Sequence, residues 1–508
     1  MQPRRALLLL LAASLAARLL LAAQGGQYFF GDEERYHRGL DLYRALAEAR
    51  WADARGLLAL PEHAAFVWLG ALLGPLQQLG AWSGGQGDWT QPAHIYASAP
   101  WAAALLGLFS TGCLWLVHRL ALAAGADEPA AFAAALLAAC SNTLFYFSRH
   151  LLPYDAALGA WLGGLLLATR PGTRAQLLSG LLTGLTFHLY NGYWFLVPVG
   201  GLWWWLRRRE AGAAPLMWAA GAAAGLGLPL LVGTLAGGAF YWTVLRDFSG
   251  TVKQGLFAEG WSLPWEYLWH AEGWWGVLVA VGLAVAMVRG RAQLPRHVVH
   301  ALACAAALYL LLVLASTVAQ KFVIYGRTVR PLVPLFCLAA GWAAVHLTAA
   351  RPVWRLPLAA VAALAAVTMF LPHYLRVFPR DFEQRMLADF GMTKRTLEFS
   401  GSIYRPLALP VTRPDLLLVN AQFLYPLRGR LPAPDGEVLF ALDHPLAHPP
   451  FQYEGHTPRE RALLRAGPLE MKLVRPADPA AWPDHLPVPL AFGDADRPDG
   501  LDRGRPQP

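Results

Sequence analysis

Eleven apolar runs limit what this chain can become. A helix needs about 20 apolar residues to cross a bilayer. Runs near that length occupy 6–23, 96–120, 129–148, 154–169, 175–190, 193–206, 214–236, 273–288, 297–318, 331–349 and 356–372. Only Asn191 and Gly192 separate the pair at 175–206. Charged residues are 15% of the 508, where about 25% is usual in soluble domains. That balance excludes a disordered chain and argues against a string of soluble domains. The expected fold class is a multi-pass α-helical membrane protein of about 11 transmembrane helices.

Charge orients the stack. With the N-terminus cytoplasmic, one side receives Arg4, Arg5, Arg119, Arg170, Arg174, Arg207 to Arg209, Arg289, Arg291, Arg296, Arg351 and Arg355. These 13 basic residues face only Asp127, Glu128 and Glu210 on that side, as the positive-inside rule requires. An odd number of spans then puts everything from Tyr374 outside an inner (plasma) membrane. Residues 1–23 resemble a signal peptide, but their apolar run exceeds the usual 7–15-residue core, so they are read as the first span. Arg18 lies near that helix's outer end, where snorkelling is the expected escape from burial.

The domain reading follows. Residues 1–373 form the membrane part, and 374–493 a small extracytoplasmic domain. Residues 494–508 are expected to be disordered. Strand-like runs at 416–420, 437–442 and 470–474 suggest that the outer domain is α/β. The net charge of +9 comes without a basic run carrying interleaved aromatics, so no nucleic-acid partner is expected. Cys113, Cys140, Cys304 and Cys337 all sit in apolar stretches and are read as packing residues.

Three long segments face outward: 24–95, 237–272 and 374–508. In the first, Tyr36, Leu40, Tyr43 and Ala47 share one helical face, which reads as a helix lying in the membrane interface. The stretch 64–79 is short for a span and reads as re-entrant or interfacial. In the second, Trp261, Trp265 and Trp269 recur every fourth residue, which reads as an interfacial aromatic anchor or as a substrate platform.

Three charged motifs stand on this outer side. Asp32-Glu33-Glu34-Arg35-Tyr36 follows the first span. Its carboxylates suit a general base held against low-dielectric walls; they equally suit the cap and acidic first turn of a helix. Ser148-Arg149-His150-Leu151-Leu152-Pro153-Tyr154-Asp155 joins two spans, with Asp155 placed to cap the second and Arg149 readable as interfacial charge. Lys321, Arg327 and Arg330 put three cations on the side where cations are disfavoured. They suit a lipid phosphate held by guanidinium forks, or simple headgroup contact.

In this order the landmarks resemble the GT-C glycosyltransferases of the protein O-mannosyltransferase and aminoarabinose-transferase type, which use polyprenyl-phosphate sugar donors. The resemblance covers most of 1–350. Asp32-Glu33-Glu34-Arg35-Tyr36 matches the family's outer-loop Asp-Glu-x-x-Tyr. Glu62-His63-Ala64-Ala65 keeps the His of a His-Pro-Pro element without its prolines. Ser148, Arg149 and Asp155 match a Ser-Arg-x-x-x-x-x-Asp junction. Arg327-Thr328-Val329-Arg330-Pro331-Leu332-Val333-Pro334 keeps the Arg and both prolines of Arg-Tyr-x-x-Pro-x-x-Pro, with Thr for Tyr. These departures mark a divergent member.

The resemblance implies an extracytoplasmic transfer of sugar from a polyprenyl phosphate to an acceptor hydroxyl, with inversion. Asp32 would be the base. Glu33 and Asp155 would orient donor or acceptor groups. Tyr36 and His63 would line the substrate site, and Arg327 and Arg330 would offset charge on the departing phosphate, assisted by Lys321 and Arg149. No cofactor is expected, and a divalent metal stays open because some relatives use one. The partners are the lipid-linked donor, membrane lipids, and a glycan, lipid or protein acceptor. The rival readings are a transporter or flippase of lipid-linked glycans and a polysaccharide polymerase or ligase. Charges gathered at helix ends rather than at mid-membrane depth argue against transport.

Overall fold

Long apolar runs must close their own backbone hydrogen bonds, and in this chain they do so as helices. The structure, a computed structural model, describes residues 3–23, 27, 33–60, 62–85, 98–208, 214–238, 261–289, 294–319, 321–322, 324, 326–377, 417–419, 436–443 and 470–478. The N-terminal helices are α1 (Pro3–Ala22), α2 (Glu34–Ala47), α3 (Trp51–Leu58) and α4 (Ala64–Ser83). Next come α5 (Ala99–Ala123), α6 (Glu128–Ala139) and the short α7 (Asn142–Phe145), which continues as a 3-10 turn over Tyr146–Arg149. α8 (Tyr154–Ala168), α9 (Thr173–Leu189), α10 (Leu196–Arg207) and α11 (Pro215–Leu235) follow. The remainder are α12 (Leu263–Glu272), α13 (Trp274–Arg289), α14 (Arg296–Val313), α15 (Gly326–Val329), α16 (Leu332–Leu347) and α17 (Arg355–Val377).

Where described, each of the eleven apolar runs is mainly helical, but the count of eleven crossings is not reached among the described residues. Five helices are long and apolar enough to cross: Arg4–Ala22, Ala64–Ser83, Ala99–Ala123, Pro215–Leu235 and Arg296–Val318. A sixth is available if α6 and Asn142–Arg149, bent by 66° at their break, form one span. α8 and α16 are apolar but have 15 and 16 residues. At 1.5 Å per residue each is about 23 Å long, short of a hydrocarbon core of about 30 Å. Conversely, the stretch taken as too short forms the 20-residue α4. The apolar helices make this a helical membrane protein.

Packing consumes features that looked interfacial. The apolar face of α2 is turned inward, with Tyr36 and Leu40 buried. There α2 crosses α4 so closely that a Cβ on Gly39 would lie 2.6 Å from the Val67 carbonyl oxygen. Arg18 does not snorkel: it is buried, donates to Ser110 Oγ at 2.8 Å and to the Ser14 carbonyl at 3.1 Å, and lies over the Phe145 ring. A guanidinium that finds acceptors on a neighbouring helix avoids the cost of charge in lipid. Trp161 and Trp203, both fully buried, give their indole N–H groups to the Leu196 and Leu165 carbonyls. Cys113, Cys304 and Cys337 are buried free thiols.

Glycines bring α9 and α11 together backbone to backbone. Gly184 on α9 meets Gly225 on α11, Gly180 faces the Trp218 backbone, and a Cβ at Gly221 would stand 2.0 Å from the Leu177 carbonyl oxygen. Such small-residue spacing brings membrane helices into backbone contact. Gly221→Val should therefore cost at least about 1–3 kcal/mol, because the obstacle is backbone rather than a movable side chain. Gly227→Ala on the same helix meets nothing within 4 Å and should be neutral or slightly stabilising. Thermal midpoints and yields of detergent-purified protein check this; equal losses at both sites would mean packing is not the cause.

After residue 377 the described residues are three strands: β1 (Leu417–Val419), β2 (Gly436–Asp443) and β3 (Glu470–Pro476). They form an antiparallel sheet in the order β1-β3-β2, with a bulge between Val438 and Phe440. The three strand-like runs are thus strands, and no helix follows residue 377 among the described residues, so these residues do not support a separate α/β domain. Asp494–Pro508 lies outside the described residues.

Candidate active site

The three charged motifs meet. Glu33 stands at the start of α2, yet its side chain caps nothing there. Instead its fully buried carboxylate accepts the Leu151 N–H at 2.6 Å and lies 3.6 Å from His150 Nδ1. The acidic motif is thereby held against the Ser148–Asp155 junction. Gln27 adds a second tie, donating to the Ala22 and Arg149 carbonyls at 3.0 and 3.1 Å. Arg149 itself is buried, which rules out interfacial charge. Asp32 lies outside the described residues.

Asp155 does not cap α8 either. It pairs with Arg330 across 175 residues of chain. Arg330 is fully buried, and its guanidinium also donates to the Thr143 carbonyl at 2.9 Å and the Leu144 carbonyl at 3.0 Å. Its Cζ stands 5.6 Å from the centre of the Phe147 ring. A charge-assisted pair removed from water holds its geometry strongly, because either ion alone would be costly there.

His63 and Arg327 join the cluster through a corner at Tyr190-Asn191-Gly192-Tyr193. Arg327, half-buried, donates from Nε to the Tyr190 hydroxyl at 2.9 Å, and the Tyr193 hydroxyl donates back to the Arg327 carbonyl at 2.8 Å. The Tyr190 ring stacks on His63 at 5.3 Å and meets the edge of Tyr154 at 4.8 Å. His63 adopts a left-handed backbone, φ 53°, a conformation unusual for a residue with a side chain. Its N–H donates to Asn191 Oδ1 at 2.9 Å.

Two other expected site residues stand apart. The Tyr36 hydroxyl donates to Gln77 Oε1 at 3.1 Å, and Gln77 donates on to Ser98. Burial pushes the Tyr36 phenol above its usual range, so it stays a proton donor inside the protein. Lys321 is exposed. Among the described residues no three His, Cys, Asp or Glu side chains converge as metal ligands would.

The sequence reading missed the Tyr190–Tyr193 corner and Glu272. Asn191 and Gly192 were seen only as punctuation, although two tyrosines flanking a polar break between apolar runs were a usable signal. Glu272, in a loop read for its tryptophans, is buried and accepts from Ser141 Oγ at 2.6 Å and from the Asn142 and Thr143 N–H groups, each at 3.0 Å. It also lines a cavity of about 460 Å³, together with Ser141, Trp265, Leu268, Trp269 and Phe336 among others. Trp261, Trp265 and Trp269 are each about half exposed.

No family model matches the chain, and the comparisons with curated proteins and with solved structures return no match.

Proposed function

We propose that this is a membrane glycosyltransferase that moves a sugar from a polyprenyl-phosphate donor to an acceptor hydroxyl. One observation carries the reading. The acidic segment after α1, the Arg149–Asp155 junction, His63 and the Arg327–Arg330 motif, far apart in sequence, pack into one polar cluster. All belong to segments that the charge count places on the outer side. Nucleotide sugars are cytoplasmic, so a transferase acting outside needs a lipid-carried donor.

The geometry refines the roles. Asp155 offsets the charge of Arg330, so Arg330 acts by holding Asp155. Arg327, half-buried and donating from Nε to the Tyr190 hydroxyl, is the proposed cation for the leaving phosphate, where it would stabilise developing charge. Asp32 is the proposed base, and the 460 Å³ cavity offers an apolar wall for part of an isoprenoid chain. The finer topology belongs to this reading: N-terminus cytoplasmic, eleven passes in an inner membrane with α4 re-entrant or interfacial rather than crossing, shorter helices crossing where the protein rather than lipid surrounds them, and the strand-bearing C-terminal segment outside.

The test is lipid-linked sugar turnover in proteoliposomes holding the purified chain. Consumption of donor with glycosylation of an added envelope extract is expected. Donor that crosses the bilayer unconsumed would make the protein a flippase, and neither consumption nor movement would make it a scaffold.

A further inference from the structure

Glu272 ends α12, outside all three charged motifs, yet it connects to two of them through α7. Its two carboxylate oxygens receive Ser141 Oγ and the Asn142 and Thr143 N–H groups, while Asn142 Nδ2 returns a bond to the Ala271 carbonyl at 2.9 Å. At the other side of the same four residues, the Thr143 and Leu144 carbonyls are the acceptors of Arg330. Thr143 therefore gives its N–H to Glu272 and its C=O to Arg330. A short helix that could not stand alone is held between a buried anion and a buried cation, and the cation is the partner of Asp155.

A second contact ties α12 to the same place. A Cβ on Gly326 would stand 2.1 Å from the Tyr267 ring, so α12 presses directly on the residue before Arg327. The helix grips the membrane part at the 141–143 break through Glu272 and at the Arg327 motif through Tyr267.

We propose that Glu272 is a positioning residue: through Asn142–Phe145 it sets the place of Arg330 and with it that of Asp155. Its effect on sugar transfer rests on the function proposed above, whereas its effect on geometry does not. The negative charge matters because three donors converge on one carboxylate. A glutamine there keeps the shape but turns an NH2 toward at least one of those donors.

The experiment compares full-length wild type, Glu272→Gln, Arg330→Gln and the double variant in nanodiscs, with hydrogen exchange read by peptide. Glu272→Gln should speed exchange at 142–145 and also at 326–331, which Glu272 does not touch. Turnover of lipid-linked sugar should fall about 10²-fold, as small misplacements of a reacting group do, with acceptor KM within about two-fold. The double variant should be no slower than Arg330→Gln alone, since both act on one pair. If Glu272→Gln folds poorly, Ser141→Ala removes one of the three bonds to Glu272 together with the Ser141 Oγ cap on the Leu144 N–H, and it should still carry faster exchange from 142–145 to 326–331. Faster exchange confined to 141–145 and α12, or losses that multiply in the double variant, would overturn the proposal. Should the wild type consume no lipid-linked sugar, the transferase reading fails, and the exchange pattern alone then decides the role of Glu272.

Discussion

Asp155→Ala is expected to lower stability by about 3–5 kcal/mol, the usual consequence of removing one partner of a buried ion pair. Arg330 is fully buried, so the substitution strands its guanidinium away from water. Detergent-purified protein should show a large fall in thermal midpoint and in yield. Replacing both members, Asp155→Leu with Arg330→Met, should recover part of that loss because no charge is left uncompensated. Recovery stays incomplete, since the Thr143 and Leu144 carbonyls lose their donor. An Asp155→Ala variant as stable as the wild type would mean the pair is not formed in the folded protein.

The second large effect separates two neighbouring acids. Asp32→Asn should reduce lipid-linked sugar turnover about 10²–10⁴-fold, the range for loss of a general base, with the thermal midpoint unchanged. Glu33→Ala should act the other way round, on stability first. Its carboxylate holds the Leu151 N–H in a dry interior, and an orphaned buried donor costs about 1–3 kcal/mol. Turnover and thermal midpoint measured on both variants check this. Normal turnover in Asp32→Asn would remove the catalytic assignment.

Much of the site could be read as a set of candidates, but not as an arrangement. Asp32, Glu33, Arg149, Asp155, Arg327 and Arg330 were found because charge is scarce in an apolar chain and therefore conspicuous. Their local surroundings pointed to simpler uses that packing then excluded: Glu33 and Asp155 sit where helix caps sit, yet neither caps its helix. Glu272 escaped notice because its partners, Ser141 and two backbone N–H groups, lie about 130 residues away.

What the sequence determined by itself is the class of protein and the position of its elements. Apolar length requires backbone groups to bond within helices, and the runs at 416–420, 437–442 and 470–474 favour strands, because these are local constraints. Tertiary structure alone decided which helix faces meet. Helices apolar on every side carry no stripe to orient them, so contacts such as Gly221 on Leu177 choose the neighbours. That choice places Arg18 on Ser110, Arg330 on Asp155 and Glu272 under Thr143. A buried charge takes whichever counter-group the packing brings within reach, and no spacing along the chain encodes that distance.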